Sequence, residues 1–141
     1  MHHRWLFFMG LLCFASATAE TESPTIAPNV ESVVSGGNWQ MDNQDGRYRI
    51  IIVNGGFEHI FSHVFLQWIE TGTREQGPAI LFSTPVEEIN RLSLWSIGTP
   101  EYILDSKQFR LSATNTYTYE NTTFLITPDN KGKYHLEKHE E

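Results

Sequence analysis

The sequence of 141 residues is acidic, with 10 Lys and Arg against 17 Asp and Glu and a formal net charge of −7, and it has one cysteine. A surface of this charge is repelled by phosphate backbones and by anionic lipids, so we expect no nucleic acid partner. The length corresponds to one domain that is large enough to form a hydrophobic core.

Residues 1–19 have the pattern of a secretory signal peptide. Arg4 supplies the basic start, residues 6–14 are apolar, and the small residues Ala17 and Ala19 form a cleavage site. The apolar run is shorter than the roughly 20 residues of a membrane-spanning helix, and no later segment reaches that length, so we predict no membrane span. We expect the mature protein, of 141 − 19 = 122 residues, to be periplasmic or secreted.

Cleavage after Ala19 also removes Cys13, the only cysteine. The mature chain then forms no disulfide, and thiol catalysis, cysteine zinc sites and iron–sulfur clusters are excluded. Loss of Arg4 leaves nine basic side chains against 17 acidic ones, a formal charge of 9 − 17 = −8. A disulfide-free exported domain is more typical of a bacterial periplasm than of a small secreted animal protein.

The mature chain divides into three parts. Residues 20–29 are rich in Pro, Thr and Glu and predict a flexible N-terminal arm. Residues 30–137 alternate in polarity, with turn signals roughly every eight to twelve residues, and predict a single β domain. Residues 138–141, KHEE, are predicted to be a charged, solvated tail. The strand candidates are residues 30–34, 39–41, 47–53, 57–69, 79–82, 92–97, 108–114, 116–119, 122–127 and 134–136.

Short strands with regular turns predict an all-β fold, an antiparallel two-sheet sandwich of Ig-like or jelly-roll-like type with one short helix. A closed β-barrel is the alternative. The helix is predicted from Pro85 to about Arg91, because Thr84-Pro85-Val86-Glu87 matches a capping box with Pro at the first helical position. A strand that begins at Val86 is the alternative for this segment.

Residues 54–70, NGGFEHIFSHVFLQWIE, fit both a helix and a strand. A helix would place His59 and His63 one turn apart, as in half of a metal site. A strand would complete a hairpin with residues 47–53, with its turn at Asn54-Gly55. We predict the strand, because aromatic and β-branched residues dominate the segment and pack well on a pleated surface. The two histidines would then lie about 13 Å apart at ~3.3 Å per residue, too far to share a metal ion without a bulge.

Aromatic and histidine side chains are the candidate binding residues. In the predicted strand, Phe57, His59 and His63 share one face with Phe61 and Phe65, and a face with three Phe predicts that a second layer covers it. The two tyrosines of residues 116–119 also share one strand face. Exposed aromatic rings suit a partner surface or a platform on which sugar rings stack. The predicted binding residues are Trp39, Phe57, His59, His63, Tyr117 and Tyr119.

The chain lacks the G-x-S-x-G motif of a nucleophile elbow, and its mature Asp residues lie in predicted turns. We therefore expect a non-enzymatic protein of the cell envelope that has no cofactor. It would bind an envelope protein or a glycan through a sheet edge or an aromatic face, since an unpaired edge strand can accept a partner strand.

Two alternative functions remain open from the sequence. A small metal-binding protein or enzyme would need His59 and His63 to converge through a helix or a bulge. A β-barrel carrier of an apolar ligand would need a hollow interior of at least ~300 Å³. Its lining would consist of Phe57, Phe61, Phe65 and Trp95.

Overall fold

The computed structural model describes residues 25–140 of the chain. The predicted signal peptide, residues 1–19, and residues 20–24 of the predicted arm lie outside the described residues, as does residue 141. The described part contains nine strands and one helix: β1 (Val30–Met41), β2 (Gln44–Gly55), β3 (Phe61–Glu70), β4 (Ala79–Pro85), α1 (Glu87–Asn90), β5 (Trp95–Ile97), β6 (Glu101–Ile103), β7 (Gln108–Asn115), β8 (Asn121–Pro128) and β9 (Tyr134–Glu140).

The strands form two antiparallel sheets. The first has the order β1-β2-β3-β4, and the second has the order β5-β7-β8-β9, with β6 beside β5 on the same edge of β7. The predicted two-sheet, all-β sandwich with one short helix is confirmed. The alternative of a closed barrel is wrong, because the two sheets do not join. In the first sheet every strand pairs with its neighbours in sequence; in the second, β6 to β9 do so, while β5 pairs with β7. Neither sheet has the Greek-key order of Ig-like and jelly-roll sandwiches.

The core lies between the inner faces of the two sheets. Alternate residues of β2 and β3 point inward, and Ile50, Leu66 and Trp68 are fully buried there. Phe109 on β7 and Ile126 on β8 are fully buried on the facing sheet. Because burial of one such side chain contributes about 1.5–3 kcal/mol, the period-two alternation of these strands is the main source of the stability of the sandwich.

The segment that follows Asn54 is a strand, as predicted, and the helical alternative is wrong. The turn at Asn54-Gly55 is also wrong, because both residues still belong to β2 and pair with Ser62 and Phe61 of β3. The chain turns in residues 56–60 instead. A Cβ on Gly55 would lie 2.9 Å from the Phe61 ring, so the ring packs directly on this glycine within the strand pair.

Helix α1 lies within the predicted segment but begins without the predicted capping box. Thr84 donates its hydroxyl hydrogen to the carbonyl of Gly132 at 2.8 Å, and Val86, at the N-cap, makes no side-chain capping bond. The amide of Glu87 donates to the Tyr134 hydroxyl at 3.1 Å, so a strand of the other sheet caps the helix. No helix in residues 25–140 has the length and apolar character needed to cross a lipid bilayer.

The boundaries of three predicted segments differ from the prediction. The two short strands predicted in residues 30–41 are one strand, β1, with a register shift between Gly36 and Asn38. Residues 116–119 are a turn and not a strand. β9 runs to Glu140, so residues 138–140, which we expected in a charged tail, pair with β8, as in Phe124↔Lys138.

Candidate functional site

Three loops lie together at one end of the sandwich, and we call this region the loop end: residues 56–60, 91–94 and 116–120. Residues 91–94 and 116–120 are adjacent because Trp95 pairs with Asn115, and the Thr116 amide donates to the Leu94 carbonyl at 2.8 Å. Residues 56–60 join them through the rings of His59 and Tyr117, whose centroids are 5.2 Å apart. Loops that are about 60 residues apart in the chain therefore form one surface.

The loop end concentrates the exposed apolar side chains of the molecule. Five of the nine large hydrophobic residues that are exposed in the described chain lie in these loops. Their exposed fractions are 99% for Phe57, 56% for Ile60, 61% for Leu92, 61% for Tyr117 and 75% for Tyr119. Single exposed apolar residues are common on protein surfaces, whereas five of them in three neighbouring loops are unusual.

The backbone of residues 116–120 is held by Asn115. The Asn115 Oδ1 accepts hydrogen bonds from the amides of Tyr117 and Thr118 at 2.9 and 3.1 Å, and its carbonyl accepts one from the Tyr119 amide at 2.9 Å. Asn side chains that bond the backbone two residues onward favour turns over strand ladders, which explains why the predicted strand does not form. As a result, Tyr117 and Tyr119 project from an ordered turn.

The backbone of residues 56–60 depends on Gly56. Its φ is +90°, and a Cβ there would lie 2.1 Å from the His59 carbonyl oxygen, so only glycine fits. This tight turn places the His59 ring against Tyr117, with 31° between the ring planes. Phe57, at the tip of the turn, is left 99% exposed.

Two of the predicted binding residues lie elsewhere. Trp39 is 5% exposed and donates its indole N–H to the Arg47 carbonyl at 3.1 Å, so it is a core residue and not a stacking platform. His63 lies on the outer face of β3, beside the loop end, with its ring centroid 5.2 Å from that of Phe61. Its Nε2 is 3.5 Å from the Ser93 hydroxyl oxygen. The structure thus brings together four of the six predicted residues: Phe57, His59, Tyr117 and Tyr119.

The face of β3 that carries phenylalanines is the outer face of the first sheet. Phe65 lies there in a row that crosses all four strands, Val33–Ile51–Phe65–Pro85. The next row is polar: Arg49 donates from Nε and Nη2 to Gln67 Oε1 at 2.9 and 2.7 Å. Phe61 and Phe65 are both partly exposed, so the second sheet covers the opposite face of β3 from the one we expected.

The residues named for the two alternative functions have separate surroundings. His59 and His63 have different neighbours, and no group of three His, Cys, Asp or Glu in residues 25–140 is placed to hold a metal ion. The aromatic residues expected to line a barrel are dispersed. Phe57 is in the loop end, Phe61 and Phe65 are on the outer face, and Trp95 packs on Phe124 with centroids 5.3 Å apart.

Ile60 and Leu92 belong to the loop end but were not among the predicted binding residues. Both fit the alternating patterns of the strands predicted at residues 57–69 and 92–97, so they belong to those predicted strands. The sequence signal for a loop at Ile60 is the pair of consecutive polar residues Glu58-His59, which breaks the alternation of the predicted strand. Comparisons of the chain with known protein families, with curated proteins and with solved structures gave no match.

Proposed function

We propose that this chain is an exported, non-enzymatic cell-envelope protein that binds a partner protein through the loop end. The observation that carries the proposal is the exposure of Phe57, 99%, within a group of five exposed large hydrophobic residues. Leaving such side chains in water forfeits about 1.5–3 kcal/mol each relative to burial, so a partner that covers them gains that free energy. Tyr and Phe are also among the residue types that are enriched in protein interfaces.

The shape of the loop end favours a protein over a glycan. Phe57, Ile60 and Leu92 project from loops and have no polar groups of their own, so they fit an apolar recess on a partner. A sugar-stacking platform needs free ring faces beside hydrogen-bonding groups. One face of Tyr117 is already occupied by His59.

The charged residues of the loop end indicate which charges should surround the recess on the partner. Its three loops contain two carboxylates, Glu58 and Glu120, and one guanidinium, Arg91. Rim charges act mainly on association rate and specificity, so we expect basic residues around the recess of the partner. The excess of acidic residues in the whole chain has the same sign.

Site-specific photo-crosslinking in the cells that produce the protein tests this function. A photoreactive phenylalanine derivative replaces Phe57 or Tyr119 in the loop end, and in the matched control it replaces Ser106, which is exposed in the turn between β6 and β7 at the opposite end. We expect one protein adduct of common mass at positions 57 and 119 and none at position 106. Adducts that are equal at all three positions, or absent at both loop-end positions, contradict the proposal.

A second measurement separates a protein from a glycan. Purified peptidoglycan and a glycan array are incubated with the mature protein and with the Phe57→Ala variant. We expect no sugar binding that depends on Phe57; retention of the mature protein, but not of the variant, would replace the protein partner with a glycan. Because Phe57 is 99% exposed, the substitution should change the free energy of unfolding by less than ~0.5 kcal/mol, so lost binding reflects lost contact.

A further inference from the structure

The two sheets have four edges, and three of them have features that prevent pairing with another chain. β5 and β6 have three residues each, β9 carries charged side chains along its length, and β4 ends at Pro85. Short strands, charges and proline are the usual protections of sheet edges. β1 is 12 residues long, has no proline, and has Glu31 as its one charged residue. Its register shifts at Val30/Ser32 and Gly36/Asn38 flank a regular stretch, residues 32–36, that stays available for pairing.

The register of the first sheet shows which backbone groups of β1 are unpaired. The Asn54 amide donates to the Asn29 carbonyl, so even-numbered residues of β2 direct their amides and carbonyls toward β1. In the register, Ile52 is opposite Ser32 and Ile50 is opposite Val34, which makes these the hydrogen-bonded pairs.

Val33 and Ser35 lie between those pairs and must therefore point their amides and carbonyls to the free side of β1. The hydrogen bonds of β3 agree with this alternation of backbone direction. Both backbone groups of Val64 bond to Asn90, on the side away from β2. Within residues 25–140, the backbone groups of Val33 and Ser35 have no partner outside the strand ladders.

We propose that β1 is a dimerisation edge, on which β1 of a second copy pairs in antiparallel orientation about a two-fold axis at Val34. In this register Val33 of each copy pairs with Ser35 of the other, which gives four hydrogen bonds. The two four-stranded sheets become one continuous sheet of eight strands. The proposal is independent of the function assigned to the loop end.

The charge pattern of β1 favours a second copy as the occupant. Residues 32–41 carry no charge, although the whole chain has a net charge of −7, so this edge is a surface on which two copies meet without like-charge repulsion. Glu31 of each copy lies beyond the regular stretch, at opposite ends of the paired strands, so the two carboxylates are not opposed. Val33, which is 46% exposed and neighbours Ile51 on the outer face, gains cover from the second copy.

A matched pair of variants at Ser35 tests the dimer. Ser35→Pro removes the outward amide, and Ser35→Ala keeps it, while neither disturbs the ladder with β2. Sedimentation velocity over roughly a hundredfold range of concentration reports the dissociation constant, because dimerisation follows mass action. We expect the wild-type protein to be a dimer and Ser35→Ala to have a dissociation constant within about twofold of wild type. Ser35→Pro should raise the dissociation constant at least ~10-fold, because the dimer loses two of its four backbone hydrogen bonds.

Amide exchange of the wild-type protein gives a second readout that does not depend on the folding of a variant. The amides of Val33 and Ser35 should be protected in proportion to the dimer fraction and should exchange fast on dilution. A wild-type monomer with fast exchange at both positions overturns the proposal. So does a dimer whose dissociation constant is unchanged in Ser35→Pro, which would place the interface on another surface.

Discussion

The side chain of Asn90 closes two hydrogen bonds with the backbone of Val64. Asn90 Oδ1 accepts from the Val64 amide at 2.7 Å, and Asn90 Nδ2 donates to the Val64 carbonyl at 2.9 Å. The pairing of β4 with β3 ends one residue earlier, at Phe65↔Pro85, and Val64 is fully buried. Asn90 therefore satisfies the Val64 amide, which a continuing β4 would have satisfied, and shares the Val64 carbonyl with the Val86 amide. The chain can leave the first sheet for the second without an unpaired buried amide.

We expect Asn90→Ala to lower the free energy of unfolding by about 1–3 kcal/mol. The buried Val64 amide loses its acceptor, whereas its carbonyl keeps the bond from the Val86 amide at 2.9 Å. Urea denaturation measures the change. Asn38→Ala is the matched control, because the Asn38 side chain is exposed; equal unfolding midpoints for both variants would contradict the prediction.

Ser62 links the two sheets through its hydroxyl. Its Oγ accepts from the Ile97 amide at 3.0 Å and donates to Asn54 Oδ1 at 2.8 Å, and the residue is 1% exposed. We expect Ser62→Ala to cost about 1–3 kcal/mol and to accelerate exchange of the Ile97 amide, which loses its buried acceptor. Ser112→Ala, on the exposed face of β7, should leave both measurements unchanged. Unaltered exchange at Ile97 in Ser62→Ala would refute this role.

Gly36 is needed for the contact of β1 with β6. A Cβ at Gly36 would lie 2.3 Å from Cγ of Tyr102, and the Tyr102 ring also packs on Phe109 at a centroid distance of 4.9 Å. We expect Gly36→Ala to cost about 1–3 kcal/mol by overpacking. Adding Tyr102→Ala should cost less in the Gly36→Ala background than in wild type, because the clash has been removed. Additive costs would contradict the contact, and Gly77→Ala, with no atom within 4 Å, is the control.

Tyr134 predicts how stability depends on pH in the alkaline range. Burial, and then a hydrogen bond to Glu88, raise the pKa of Tyr134 from 10.0 to about 12. Because the folded pKa is the higher one, this contribution to stability is complete below pH 10 and is lost as the pH rises through the window from 10 to 12.

Tyr134→Phe isolates the contribution of Tyr134 from those of the other tyrosines. The variant loses the hydroxyl that the Glu87 amide donates to, so we expect it to be less stable than wild type by about 0.5–1.5 kcal/mol near neutral pH. Denaturant unfolding at a series of pH values should show this difference shrink above pH 10, where unfolded tyrosine ionises. A difference that stays constant up to pH 12 would show that the pKa is not raised.

The alternation of residues along the sequence, with a period of two, identified the strands that have a buried inner face. The segment after Asn54 illustrates why. Val64, Leu66 and Trp68 alternate with the residues that became the outer face of β3, and all three are fully buried. An alternating apolar pattern satisfies a pleated strand locally, so neighbouring strands do not have to be known. Alternation does not show which of the two largely apolar faces of β3 the second sheet covers. That choice depends on the total apolar area that the whole sandwich buries.

By itself, the sequence determined the acidic composition, the all-β class, the short helix and four residues of the loop end. Only the tertiary structure decided that the loops of Phe57, Leu92 and Tyr119 lie at one end of the sandwich and that Trp39 is buried. The reason is physical. Turns form where a side chain outcompetes the ladder, as Asn115 does, and the positions of loops distant in sequence follow from the packing of the sheets that carry them.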